Sequence, residues 1–302
     1  MKLLTAMLAA LLVPSACADA APPRDEARSE SAPTAGRGAT PSVDPVESEE
    51  VRTVDLIGVL AQGGFARGQV RGGAFNGVFL NGEQIPTLED GRFFIAFGRD
   101  AELEAQLAVE YADGDTFAQT FALADTSFPE SSLPAATTTG IESDPAFERR
   151  RADELAQIRA ARAEPSGLTG WTEPFIKPVP GNLTSRFGAQ RFYGEVARSP
   201  HSGADYDGAV GTPVIAPASG TVVLAGEGYS YEGGLVILDH GLGLYSAFLH
   251  LSAVDVSVGY TLDQGDPIGE LGATGRATGP HLHWGLWWQG VRFDPQALLA
   301  RQ

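Results

Sequence analysis

The chain has 302 residues, 43% of them hydrophobic, with 37 glycines, 20 prolines and 21 Lys and Arg against 38 Asp and Glu. Its length exceeds one compact domain once a leader and linkers are subtracted, so two units are expected, and the glycine and proline content points to short strands joined by tight turns, away from a helical bundle. The net charge of -17 repels phosphate backbones and anionic surfaces, which argues against nucleic acid as a partner.

Met1 to Val13 carries one positive charge and then a short apolar run, the pattern of an export signal, too short to persist as a membrane span. The run ends at Pro14-Ser15-Ala16-Cys17. Cys17 is the only cysteine, so no intramolecular disulfide can form, and its place resembles a bacterial lipoprotein box. Such a box has an aliphatic residue three before the cysteine; this chain has Pro14 there and Val13 one step too early. The resemblance implies lipidation of Cys17, a lipid anchor and a periplasmic or envelope location, with cleavage near Ala18 or Ala20 and no lipid as the alternative. Residues 18–50 hold too few large apolar groups to fold and read as a tether.

Residues 51–128 read as a small β-sandwich of immunoglobulin-like character. Strand-like runs are broken by Asn81-Gly82, Asp90-Gly91 and Asp113-Gly114, which supply the positive φ of hairpin turns. Alternation shows in Phe93, Ile95 and Phe97, in Leu107, Val109 and Tyr111, and in Phe117, Phe121 and Leu123. With no histidine or cysteine this part offers no soft metal ligand, and spacing or docking to a protein partner is its expected work. Residues 129–170 read as linker and one helix, capped by Asp144 with Pro145 at its first position, presenting Phe147, Leu155 and Ile158 on one face and ending before Pro165. Arg149-Arg150-Arg151 reads as a solvated face.

All five histidines fall between Ser199 and Trp288, within the C-terminal unit expected over 171–302. Pro200-His201-Ser202-Gly203-Ala204-Asp205 has H-x-x-x-D spacing, and His281-Leu282-His283 on a strand points both rings to one face. Imidazoles and one carboxylate suit a tetrahedral catalytic zinc with its fourth position open to water, whose pKa falls to about 7 beside the ion. The absence of H-E-x-x-H excludes the helix-borne zinc protease design. His240, at a strand end beside a turn, reads as structural or supporting. Gly272 to Gly279 reads as a turn loop, Tyr229 and Tyr231 as groove residues for substrate, and Trp284, Trp287 and Trp288 as either groove or core.

From about Asn182 to Leu299 the chain resembles the lysostaphin-type, or LytM-type, zinc endopeptidases that cut cell-wall peptides. The matching pieces are Thr184-Ser185-Arg186-Phe187-Gly188, His201 to Asp205, Gly211 to Pro217, Phe248-Leu249-His250-Leu251-Ser252 and Gly275 to His283. The resemblance implies His201, Asp205 and His283 as zinc ligands, His250 and His281 as catalytic imidazoles with base and oxyanion roles unassigned between them, and an antiparallel sheet akin to duplicated hybrid motifs. A mainly β chain follows. The functions it implies are a zinc metalloendopeptidase acting on peptidoglycan stem peptides or, from another class, a non-catalytic wall-binding regulator of other hydrolases. A third reading makes the N-terminal β-domain a docking module. The helix near Pro145 to Ala163, or its linker, is expected to cover the cleft.

Overall fold

Turn dipeptides reverse the chain every few residues, so seven strands follow in quick succession: β1 (Thr53–Val59), β2 (Phe65–Arg71), β3 (Phe75–Leu80), β4 (Glu83–Ile85), β5 (Arg92–Ala96), β6 (Glu104–Tyr111) and β7 (Thr116–Ala122). Asn81 and Gly82 both take positive φ, 52° and 83°, as the tightest hairpin turn requires. In the computed structural model, which describes residues 51–133, 144–193 and 195–299, these strands form two antiparallel sheets ordered β1-β2-β5 and β4-β3-β6-β7. The expected export signal, tether and Cys17 lie outside the described residues.

β6 alternates as its sequence demands, burying Ala105, Leu107, Val109 and Tyr111. β5 does not. Phe93, Phe94, Ile95 and Ala96 are all buried, so the expected alternation of Phe93, Ile95 and Phe97 describes only one of its two covered faces. The other face meets the C-terminal part of the chain: the Phe94 ring lies 6.4 Å from those of Trp171 and Trp288 and 5.9 Å from that of Phe293. Polar contacts fasten the same seam. Arg67 donates to the carbonyl oxygens of Trp171 and Glu173 at 2.8 and 2.6 Å, and Arg99 Nε donates to that of Gly188 at 2.8 Å. The described residues therefore belong to one compact unit.

The chain continues through β8 (Glu130–Leu133) and helix α1 (Pro145–Ala160). β8 falls inside the stretch whose composition reads as linker; backbone pairing, which needs no apolar side chains, makes it a strand. Asp144 caps α1 by accepting from the amides of Ala146 and Phe147 at 2.8 and 2.7 Å. Phe147 and Ile158 are buried as expected, whereas Leu155 is exposed and Glu154 takes the inward place. Glu154 accepts from the Ser230 amide and hydroxyl at 3.0 and 2.7 Å, and Arg151 forks across Glu232 at 2.6 and 2.8 Å. The arginine run is thus not wholly a solvated face, because Arg151 points inward to a carboxylate.

The C-terminal part comprises β9 (Leu183–Ser185), β10 (Gln190–Tyr193), β11 (Val196–Ala197), β12 (Ala204–Asp207), β13 (Pro213–Ile215), β14 (Gly220–Tyr229), β15 (Gly233–Gly241), β16 (Leu244–Leu251), β17 (Ala253–Val254), β18 (Thr261–Leu262), β19 (Pro267–Glu270), β20 (His281–Trp288), β21 (Val291–Phe293) and α2 (Pro295–Leu298). Its main sheet runs β18-β14-β15-β16-β20-β12-β9, with β21 also paired to β20. β8 runs parallel to β10, outside that antiparallel sheet. One face of the main sheet joins the core through Leu238, Phe248, Leu282, Trp284 and Leu286. The opposite face is half covered, where Ile158 of α1 packs on Leu235, Ile237, Tyr245 and Ala247. Every residue of β15 is buried in consequence. Because Phe94 bridges the two parts of the core, Phe94→Ala should cost about 3–5 kcal/mol, measured by denaturant unfolding followed at a probe in each part, with both probes moving together.

Candidate metal centre

β12 and β20 are antiparallel neighbours with Asp205 opposite His283, so both side chains leave the same sheet face, and the H-x-H spacing brings His281 to that face as well. His201 sits just before β12, its amide donating to Ala189 O at 2.9 Å and its carbonyl accepting from Gly188 N at 2.8 Å. Between His201 and Asp205 the backbone of Gly203 lies hard against β20. A Cβ there would meet Trp284 O at 2.4 Å and His283 Nε2 at 2.8 Å, so only glycine lets this loop close.

Three ligand atoms converge. His201 Nε2 is 2.9 Å from Asp205 Oδ1 and 3.0 Å from His283 Nδ1, which is itself 2.8 Å from Asp205 Oδ1. Ligands about 2.0–2.1 Å from a tetrahedral zinc stand about 3.3 Å apart, so the triangle is close to what one such ion spans. The donor chemistry agrees. His201 Nδ1 donates to Arg186 O at 2.9 Å, which turns the Nε2 lone pair inward. Burial works to raise the Asp205 carboxyl, but the adjoining His201 and His283 imidazoles outweigh it and hold the group well below the usual carboxylate range. Burial also pushes the His283 imidazole down, favouring the neutral form that a metal needs. Arg191 Nη2 donates to Asp205 Oδ2 at 3.2 Å, leaving Oδ1 to the cluster.

His250 and His281 stand beside this triangle with ring centroids 4.7 Å apart, and His250 is 6.3 Å from His283. Each donates Nδ1–H to a carbonyl, His250 to Thr274 O at 2.9 Å and His281 to Gly279 O at 2.8 Å. The Nε2 atoms are therefore free to act, that of His281 lying 4.0 Å from Asp205 Oδ1. Burial, reinforced by the neighbouring His281 and His283 charges, pushes His250 down to about 4, so it is neutral near pH 7. It sits at φ 67°, and its amide donates to Glu232 O at 2.8 Å. Glu232 is the residue that Arg151 of α1 grips.

The sequence of Peptidase family M23 matches residues 199–295. A crystal structure from Pseudomonas aeruginosa, assigned to peptidase M23, superposes with a TM-score of 0.60 and 30% identity, covering 80% of this chain and 95% of that one. This chain belongs to peptidase family M23. The peptidoglycan DD-endopeptidase ShyA of Vibrio cholerae is 38% identical over 105 residues, 34% of this chain and 24% of that protein. The DD-carboxypeptidase/endopeptidase Mpg of Neisseria meningitidis is 42% identical over 84 residues, 28% of this chain and 19% of that protein. The M23 chain thus spans about a quarter of the length of the curated relatives it matches.

The remaining aromatic and histidine positions of this M23 chain separate by sheet face. Trp284 and Trp288 are core, and Trp287 lies partly buried on the open face. Tyr229 donates to Gln157 Oε1 at 3.0 Å, and the Tyr231 ring packs 5.7 Å from Phe147 and 4.3 Å from the Arg276 guanidinium, so both tyrosines meet α1. Helix α1 covers the β15 and β16 side of the open face, through Ile158. Gly275 turns the 272–279 loop at φ 67°, and the Arg276 amide donates to Tyr231 O. Arg191, Arg151 and Glu232 carry no sequence signal, since an arginine's partner is chosen by tertiary position.

His240 lies on the core face, its Nδ1 2.8 Å from Ser219 O and its Nε2 2.7 Å from Ser246 Oγ, against the Phe175 ring. Burial holds it down to about 4 from an ordinary 6.5. The unfolded chain takes up that proton first as pH falls, so the fold loses stability as pH drops from about 6.5 toward 4. Thermal unfolding from pH 7.5 to 4.5 should show Tm falling in that window, with a shallower fall in His240→Gln.

Proposed function

We propose that this M23 chain is an exported zinc metalloendopeptidase hydrolysing peptide crosslinks of bacterial peptidoglycan, held in the cell envelope, with Cys17 as its lipid anchor. The observation that carries the reading is the convergence of His201 Nε2, Asp205 Oδ1 and His283 Nδ1 beside the His250–His281 pair. His201, Asp205 and His283 would hold the ion. Zinc bound there supplies Lewis acidity, lowering the pKa of water toward 7 and polarising a peptide carbonyl.

The chain's own groups supply the rest. His250 and His281, each fixed through Nδ1, present Nε2 to take a proton from the attacking water, return one to the leaving amine and donate to the oxyanion. His250 is neutral near pH 7 and so can accept. Arg191 donates to Asp205 Oδ2 and so leaves Oδ1 to the ligand triangle. Tyr229 and Tyr231, on the turn beside α1, are the proposed substrate contacts, and stem peptides the proposed substrate. The Vibrio cholerae relative named a peptidoglycan DD-endopeptidase supports this substrate class.

The purified chain should bind about one equivalent of zinc, and Asp205→Asn should lower that occupancy, read by metal analysis after dialysis. His281→Ala should keep the metal and the fold while muropeptide release from isolated sacculi falls by about 100-fold or more. Unchanged release in the variant would remove His281 from the chemistry; no release from the unmutated chain would turn the assignment to a non-catalytic wall-binding regulator.

A further inference from the structure

Where the last turn of α1 meets the far end of β20, a second polar site opens on the same sheet face. It is a cavity of about 600 Å³ lined by Arg159, Arg162, Tyr245, Trp287, Gln289 and Arg292, among others. The guanidinium of Arg162 lies 4.4 Å from the Trp287 ring centroid and that of Arg292 lies 5.2 Å from it. Neither cation has an ion-pair partner among the described residues. Arg162 donates Nε–H to Ile158 O at 3.1 Å, and the Arg292 side chain makes no hydrogen bond among them. The carboxylate whose charge reaches Arg292 is Glu232, and Arg151 already holds both its oxygens. Some arginines find carboxylates, as Arg71 does in Asp55 and Arg92 in Asp90, and Arg67 finds two carbonyl oxygens. On a chain of net charge -17, Arg162 and Arg292 share one indole ring with no ion pair to either among the described residues, a local concentration of positive charge. Burial and the Arg292 charge push Arg162 down to about 10, so it stays cationic at neutral pH while opposing its neighbour. An anion between them would relieve that repulsion.

Strand geometry joins this cavity to the metal centre. β20 sends His283, Gly285 and Trp287 to one face, since side chains alternate along a strand. A Cβ at Gly285 would stand 3.7 Å from His283 Nε2 and 3.5 Å from the Trp287 ring, so bare glycine floors a passage with the imidazole at one end and the indole at the other. Along the edge of β20, β12 sets Asp205 beside His283 and β21 sets Arg292 beside Trp287. Four strand residues at about 3.3 Å each place the arginines about 13 Å from the metal ligands, the reach of roughly four residues of extended peptide.

We infer that Arg162 and Arg292 form a carboxylate-binding subsite of the cleft, which takes a free carboxylate of the wall peptide about 13 Å from the bond that is cut. The inference rests on the proposed peptidoglycan substrate. A planar guanidinium fork matches a carboxylate, and stacking on Trp287 fixes both forks before the ligand arrives.

Two crosslinked muropeptides that differ only in having free or amidated stem carboxylates test it on the zinc-loaded full chain. The ratio of kcat/KM for the free form to that for the amidated form should fall about 10-fold in Arg292→Gln, carried by KM, with Arg292→Lys intermediate. Arg162→Gln should lower the same ratio; because Arg162 also bonds to the end of α1, the exposed Arg292 is the variant that decides if the other misfolds. An equal effect on both substrates, or none, overturns the subsite. Should the unmutated chain cleave neither substrate, the hydrolase reading fails and titration calorimetry decides the subsite alone. Weaker binding of the free-carboxylate muropeptide to Arg292→Gln than to the unmutated chain would support it, and equal binding would remove it.

Discussion

The pairing of β12 with β20 is the constraint on which the rest of this molecule depends. It sets Asp205 opposite His283, and no loop is asked to hold either residue. Only His201 comes from irregular chain, and Gly203 lets that chain lie against the strand pair closely enough to add its imidazole. A ligand set built on two adjacent strands is rigid because backbone hydrogen bonds fix its spacing before any ion arrives. The histidine pair beside it is set by different means, with His250 and His281 oriented by carbonyl oxygens of the 272–279 loop.

That strand pair is braced from behind. The core face of β20 ends in Trp288, which meets Phe94 of β5, so the N-terminal sheets support directly the sheet that carries Asp205 and His283. Phe94 also stands 5.6 Å from Phe65, making β5 a layer between two packed surfaces. From the open side, α1 seals β15 through Ile158 and leaves β20 to face the cleft. The candidate metal centre thus lies on a sheet packed on one face and covered on the other only in part, which is what a cleft requires.

How much of this was legible in the sequence depends on the kind of signal. His201, Asp205, His281 and His283 were readable because their spacing is local and their chemistry narrow. The expected ligand roles rest on resemblance, and the fold brings the same three side chains together. β5 misled because alternation assumes one buried face, whereas Phe94 is as buried as Phe93. The strand β8 was hidden because Pro, Ser and Thr read as linker, although backbone pairing to β10 asks little of side chains. Leu155 is expected inward, and Glu154 takes that place. Their exchange follows from Ser230 and Arg151, which give Glu154 hydrogen bonds that no reading of helical period could foresee.

Glu232 has two attachments that belong to different parts of the molecule. Its carbonyl oxygen accepts the amide of His250, and its carboxylate is gripped by Arg151 in a helix more than 80 residues earlier in the chain. A fragment cut just before His201 would keep His201, Asp205 and His283 and still lose the strut behind His250. The support of the candidate site therefore reaches back to α1, well ahead of the stretch that the family likeness alone would mark out.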